Sequence, residues 1–403
     1  MRFPSYSSEW HSYTLGEILT FYSTNSFSRE KLNYDTGSVK NIHYGDIHTK
    51  FPSIVSIDNN KDIPFINDDL DLSKFSEDQY LREGDLIIAD ASEDYEDIGK
   101  AIEVKDINNE KVLAGLHTIL ARDENDMAVN GFKAYLFSTN NLKTKIKIIA
   151  NGISVLGISK NNLSKLNVEI PSKKEQQNIV SFISDIDKKI ELLEKKHQLY
   201  LDFKNYLMQQ IFAQKLRFNF DDEWKQYKLK DVLTVKSSSI SINQLEENTG
   251  DYPLYGASGF LKNIDFCEMD VDYISIVKDG SGVGNLSFHE KNSSIVNTSQ
   301  YLLPKKNFNI NFLYYLLQTI NLMKYVNGSS IPHIYFKDYC IEKINIPSLD
   351  EQEKIGKLFV DVDITMENLN KNINATQEFK KGLLQQMFVV QLILSLLQNK
   401  KHI

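Results

Sequence analysis

The chain is written twice, and no other feature constrains its fold as much. Ile170-Pro171-Ser172, followed by Glu175-Gln176, recurs as Ile346-Pro347-Ser348, followed by Glu351-Gln352. Asp185 and Asp187 recur as Asp361 and Asp363. Phe203-Lys204, Leu207, Gln209-Gln210 and Phe212 recur as Phe379-Lys380, Leu383, Gln385-Gln386 and Phe388. All lie at one constant offset, that from Pro171 to Pro347, which also aligns Asn151-Gly152 with Asn327-Gly328. From there to Phe212 the match needs no gap, and about a third of roughly 60 positions are identical. The starts match at a different and larger offset, that from Trp10 to Trp224. Glu9-Trp10, Tyr13, Leu15 and Ile18-Leu19-Thr20 become Glu223-Trp224, Tyr227, Leu229 and Val232-Leu233-Thr234. The first unit is therefore longer in its middle, by the difference between the two offsets. Between these anchors the halves have almost no resemblance.

The repeated ends have the pattern of helices. Ser172 with Glu175, and Ser348 with Glu351, have capping-box spacing, in which the hydroxyl accepts a first-turn N–H and the carboxylate reaches back. The prolines before them mark the exit from an extended segment. Beyond each cap runs a seam with alternating spacings of four and three. It reads Ile179, Ile183, Ile186, Ile190, Leu193, His197, Tyr200, Lys204, Leu207, Ile211 in the first half. In the second it reads Ile355, Phe359, Val362, Met366, Leu369, Ile373, Thr376, Lys380, Leu383, Met387. An average spacing of about 3.5 is a coiled-coil seam rather than the wider stripe of a surface helix. The helix-pairing residues are Ile183, Ile190, Leu193, Leu207, Phe359, Met366, Leu369 and Leu383. The polar members His197, Thr376 and the two lysines weaken the seam, so an imperfect pair is expected; two amphipathic helices, each on its own domain, are the alternative. A helix of ~38 residues is ~57 Å long, more than one turn of B-DNA.

The remaining segments have mixed α/β patterning. Leu86–Ile88, Thr118–Leu120, Tyr273–Val277 and Tyr301–Leu303 are strand-like, and Phe312–Tyr325 is helical. The expected fold is α/β (α+β). Two mixed domains span 1–171 and 216–347, each followed by a long helix at 172–215 and 348–388, with a tail at 389–403. If the halves are related by a pseudo-two-fold, the helices pair antiparallel and Ile183 lies nearer Leu383 than Phe359.

Charge and cysteine content narrow the function. A net charge of −8 argues against a protein that coats nucleic acid by bulk charge. The acidity is uneven. Residues 58–126 are crowded with carboxylates, including Glu93-Asp94-Tyr95-Glu96-Asp97, and Lys143, Lys145, Lys147, Lys160 and Lys165 follow with no acid between them. That lysine run is either a solvated face or a phosphate-facing patch. The first ten residues have no apolar core of a signal peptide, and the longest apolar run, Val389–Leu397, is far short of a membrane span. Cys267 and Cys340 have no metal-ligand spacing. A cytoplasmic protein without a membrane partner is expected.

No motif carries catalysis. Asp279-Gly280-Ser281-Gly282-Val283-Gly284 has the composition of a nucleotide loop, but a strand-like Leu286 and Phe288 follow where a helix would receive a phosphate. It reads as a tight loop that brings backbone amides, small polar groups and Lys278 near a ligand. Asp90, Asp94 and Asp97 ahead of Glu103-Val104-Lys105 have the order of a metal-dependent nuclease motif. A segment so rich in acids produces that order by chance. The histidines, His43, His48, His117, His289 and His333 among them, are not clustered as zinc ligands. Aromatic and small polar residues gather in expected loops at Tyr44-Gly45-Asp46, Tyr255–Gly259 and Asn327–His333, where such side chains reach base edges. The candidate DNA-binding residues of the first half are Tyr44, Asp90, Ser92, His117, Lys143, Lys145, Ser154 and Lys160. Those of the second are Tyr255, Ser258, Lys278, Ser281, Asn297, Ser329, Ser330 and His333.

In this order the features resemble the specificity subunits of Type I restriction–modification systems, up to about Phe388. The resemblance rests on the two Glu-Trp starts with their Leu and Ile/Val-Leu positions, on Tyr252-Pro253-Leu254-Tyr255-Gly256-Ala257-Ser258-Gly259, and on the two Ile-Pro-Ser openings with Glu-Gln. It implies two target-recognition domains that read the halves of a bipartite asymmetric site in double-stranded DNA, spaced by two antiparallel helices. It implies two modification subunits that carry S-adenosylmethionine and methylate adenine, and restriction subunits that use ATP and Mg for translocation and cleavage. The chain itself is then a non-catalytic subunit without cofactor or metal. A DNA-recognition subunit of another methyltransferase system, or a coiled-coil adaptor without DNA role, are the alternatives. The tail 389–403 has no counterpart in the first half.

Overall fold

The computed structural model describes Tyr6 and residues 9–245, 248–328 and 330–388. The chain forms two compact units, residues 1–191 with 374–403, and residues 192–373.

In each unit the repeated start pairs with the repeated end. His11–Thr14 runs antiparallel to Asn167–Ile170, with His11 opposite Ile170. Lys225–Lys228 runs antiparallel to Lys343–Ile346, with Lys225 opposite Ile346. The sequence repeat is therefore a strand pair that closes each unit. A short helix follows each first strand, Leu15–Ile18 and Leu229–Val232, and buries its two apolar residues.

The main sheets share an order. In the first unit it is Thr20–Tyr22, Thr118–Arg122, Leu86–Ala89, Ala101–Lys105, with Ile54–Ser56 added parallel at one edge. In the second it is Leu233–Ser237, Ser299–Pro304, Tyr273–Val277, Leu286–His289. The central strands Leu-Ile-Ile-Ala and Tyr-Ile-Ser-Ile-Val are buried along their whole length, which explains their largely apolar composition; the one polar member, Ser275, is paired with His289 Nε2 at 2.9 Å. The extra length of the first unit goes into a second sheet of four strands around Lys40–Ile42; the second unit has three strands around Tyr252–Gly256.

The long helices span Lys173–Phe212 and Leu349–Phe388. In the first unit Ile179 and Ile183 share a core with Leu384, Met387 and Phe388, and Ile186 and Ile190 cluster with Leu383. In the second, Leu207 and Ile211 share a core with Ile355 and Phe359. The start of one helix thus packs on the end of the other in each unit, an antiparallel pairing. Leu369 is buried, and Leu193 and Met366 are half-buried.

The structure corrects four local readings. The seam lysines do not weaken the pairing, because each has a counter-charge on the facing helix. Lys380 lies 2.5 Å from Asp187, and Lys204 lies 2.6 Å from Asp363. Tyr135 and Tyr315 donate their hydroxyls to the same carboxylates at 2.9 and 2.7 Å, and the ammonium groups sit over their rings. Each repeated Asp thus binds a domain to both helices. Secondly, the Ser348–Glu351 capping box is not formed. Ser348 Oγ is buried without a hydrogen-bond partner, and the Glu351 carboxylate accepts from Arg217 Nε and Nη2, at 3.1 and 2.7 Å. The repeated Gln does the joining instead. Gln176 accepts the Val129 N–H and donates to the Pro171 carbonyl, and Gln352 accepts the Asn309 N–H and donates to the Pro347 carbonyl. Thirdly, the helix expected over Phe312–Tyr325 is Ile310–Gln318 followed by a 3₁₀ turn at Leu322–Tyr325. Lastly, Tyr44 begins a helix, Tyr44–Thr49, rather than lying in a loop.

Candidate nucleic-acid interface

The two main sheets place one hairpin at the same register in each unit. In the first, Ala89 N–H donates to the Lys100 carbonyl and Gly99 N–H to the Ala89 carbonyl; Asp90 N–H donates to the His117 carbonyl, and Ile158 N–H to the Asp90 carbonyl. In the second, Val277 pairs in the same way with Asn285 and Gly284, Lys278 N–H donates to the Thr298 carbonyl, and Ile334 N–H to the Lys278 carbonyl. Ile158 and Ile334 are related by the same offset as Pro171 and Pro347. Asp90 and Lys278 therefore occupy one structural position, as do Gly99 and Gly284, both left-handed at φ 72° and 85°. The acidic run and the glycine-rich loop, unrelated in sequence, fill the same place.

Around Asp90 the first unit gathers three sequence candidates. His117 Nδ1 lies 3.5 Å from the Asp90 carboxylate, with its side chain half exposed and its backbone left-handed at φ 55°. Tyr44 packs edge-on against His117, with ring centroids 5.3 Å apart. Burial pushes the Asp90 carboxyl above its ordinary pKa, while His117 and Lys160 pull it back. Asp90 and His117 line an open cleft of about 440 Å³ with Asn151, Val155, Ser159 and Asn162.

A second loop flanks this position in both units. Asn151 and Gly157 exchange two backbone hydrogen bonds, of 3.0 and 2.7 Å, and Asn327 and His333 exchange two of 2.9 and 2.7 Å. The tips are exposed: Ile153, Ser154 and Val155 in the first unit, Ser330 and Ile331 in the second. In the second unit this loop bonds to the glycine-rich one, through Gly280 N–H to the Pro332 carbonyl and the Asp279–His333 bridge. Lys278, Ser281, Ser330 and His333 thus lie on one pair of joined loops. Ser258 occupies the exposed turn between Tyr252–Gly256 and Gly259–Ile264, whose Ala257 neighbours Gly282.

Other candidates have internal partners. Ser92 is buried and accepts the Asp94 N–H. Tyr255 packs its ring 4.4 Å from that of His289. Asn297 is exposed, and its N–H donates to the Ile240 carbonyl. Several of the lysine run have partners within the fold. Lys145 donates to the Asn167 carbonyl, Lys160 to the Tyr22 carbonyl, and Lys147 pairs with Glu96. Burial lowers the pKa of Lys143. Ser329 and the tail 389–403 lie outside the described residues.

The nuclease-like order does not form a site. Glu103 is buried, accepts the Gly131 and Ala134 N–H groups at 2.7 and 3.0 Å, and pairs with Lys133 at 3.0 Å. It holds the start of the helix Phe132–Phe137. Among the described residues no group of three His, Cys, Asp or Glu side chains could hold a metal ion, and no helix is long and apolar enough to cross a membrane.

Sequence reasoning missed Phe203 and Phe379 as surface residues. They are equivalent in the repeat, and both are exposed on the long helices, at 48% and 56%. Their signal was available: neither falls on the seam.

The profile of the Type I restriction modification DNA specificity domain matches residues 7–199 and 221–377. A protein of Mycoplasma pneumoniae that bears the name of a type I specificity subunit is 25% identical over 244 residues, covering 58% of this chain and 89% of that one. The specificity subunit of the Type I restriction enzyme MjaVIII of Methanocaldococcus jannaschii is 28% identical over 182 residues; the match spans 41% of this chain and 42% of that protein. In fold, the chain is similar to the crystal structure of a Type I restriction–modification S subunit from M. genitalium. The TM-score is 0.62 at 16% identity, with 96% of this chain and 99% of that one covered.

Proposed function

The chain belongs to the Type I restriction modification DNA specificity family, and on that premise we propose that each half reads one part of a bipartite, asymmetric site in double-stranded DNA. The observation that carries this reading is the pair of hairpins with one stem and unlike loops. A constant frame with different side chains at its tip suits two readers of different sequences.

The long helices set the distance between the half-sites and dock two modification subunits, which bind S-adenosylmethionine and methylate adenine. Phe203 and Phe379 give each copy an equivalent exposed aromatic anchor. Restriction subunits, with ATP and Mg, complete the cleaving complex. The net charge of −8 assigns much of the phosphate contact to those partners.

The test is DNA binding and methyl transfer by the purified chain, alone and with its modification subunit. Weak binding without transfer alone, and tight specific binding with transfer in the complex, are expected. Methyl transfer by the chain alone would contradict the reading.

A further inference from the structure

Resting on that reading, the geometry points to Asp90 and Lys278 as paired specificity determinants that contact opposite members of a G·C pair, cytosine in one half-site and guanine in the other. The two residues hold one position. Each donates its N–H to the residue preceding the neighbouring strand, His117 or Thr298, and accepts an N–H from Ile158 or Ile334. The backbone is thus fixed in the same way while the side-chain charge is reversed.

That reversal has a chemical meaning at a major-groove edge. A carboxylate only accepts, and its base partner is the N4 amino group of cytosine; an ammonium only donates, and its partners are O6 and N7 of guanine. Both side chains are partly open, Asp90 at 30% and Lys278 at 20%. Each has a loose neighbour rather than a closed ion pair, His117 at 3.5 Å and Asp279 at 3.4 Å. Both contacts are long, so base contact can replace them at less cost than a short closed ion pair.

The experiment uses the full chain with its modification subunit, and methylated adenines are mapped in cells for the wild type, Asp90→Asn and Lys278→Gln. Each variant should relax one G·C position, in different half-sites, by about tenfold. In synthetic duplexes, 7-deazaguanine at the Lys278 position should weaken methylation by the wild type about tenfold and leave the Lys278→Gln complex unaffected. Replacing cytosine by 2-pyrimidinone, which lacks the amino group, should do the same for Asp90. An unaltered motif in either variant, relaxation in the same half-site, or relaxation at an A·T pair overturns the inference. So does total loss of methylation by a variant whose complex still assembles, because one reading contact relaxes a motif without abolishing modification. A wild-type complex that methylates no two-part motif overturns the family reading itself.

Discussion

The hairpin that closes on Gly99 and the one that closes on Gly284 have the same stem and opposite contents. The first loop carries Glu93, Asp94, Glu96 and Asp97 and adds side chains to its backbone turns: Asp97 N–H donates to the Asp94 carbonyl, Asp94 N–H to Ser92 Oγ, Glu96 N–H to the Asp94 carboxylate, and Glu96 pairs with Lys147. The second is held by backbone bonds, Val283 to Gly280, Asn285 to Gly282 and Gly280 to Pro332. The stem hydrogen bonds described above run between backbone groups, so the loop can change charge and length without moving the stem. On the proposed reading, recognition is thereby separated from scaffold.

The helices behind the two hairpins sharpen this comparison, and here the largest effect is expected. Both need their first-turn N–H groups satisfied. The first unit imports a buried carboxylate, Glu103, with Lys133 as counter-ion; the second uses the local cap Asn309, which accepts the Phe312 N–H at 3.0 Å. Glu103→Ala leaves Lys133 buried and unpaired and should cost about 3–5 kcal/mol, whereas Asn309→Ala should cost about 1 kcal/mol. Denaturant unfolding of the purified variants measures both, and equal losses would break the contrast.

The stem glycines should also differ. A Cβ on Gly99 would lie 2.5 Å from Ile146 Cγ2, in the buried core, whereas one on Gly284 would meet only the Met323 sulfur, at 3.4 Å. Both residues have positive φ, so Gly99→Ala should cost about 2–3 kcal/mol and Gly284→Ala about 1 kcal/mol. Thermal unfolding of the two variants decides the order.

Where the halves are alike, effects should be equal. Phe203→Ala and Phe379→Ala each remove an exposed ring, so stability should change by less than about 0.5 kcal/mol. Each should weaken one modification-subunit contact by about tenfold, read by calorimetric titration. A loss at only one of the two positions would show that the repeat is not used twice.

The halves also share an acid sensitivity. Burial lowers the pKa of His43 in the first unit and His289 in the second, each to about 4. Below about pH 6.5 the unfolded chain takes up protons that the folded chain refuses, so stability falls as the pH drops toward 4. The slope is at most about 1.4 kcal/mol per pH unit for each group. Denaturant midpoints at pH 7 and pH 5 should differ in that direction, and His289→Asn should flatten the difference.

The scaffold was legible because it is repeated: the offsets marked the boundaries of each unit and the seam located both helices, whereas the pairing of the repeated starts and ends as strands emerged only in the structure. The site was legible only in pieces. Asp90, His117 and Lys278 were recognisable as polar groups near loops, but their register was hidden, because the two hairpin loops differ in length and no sequence alignment carries through them. The seam lysines looked like flaws since their partners, Asp187 and Asp363, become neighbours only through antiparallel pairing. The lysine run stayed open between a solvated face and a phosphate-facing patch because partners such as the Asn167 and Tyr22 carbonyls are supplied by tertiary structure.

The central claim, one frame with two independent readers, is tested most directly by exchanging residues 236–330 for the matching segment of a relative and mapping methylated adenines genome-wide in cells that also make the modification subunit. One half of the methylated motif should change, while the other half and the spacer stay fixed, because the helices that set the distance are untouched. Changed bases in both half-sites would contradict the account.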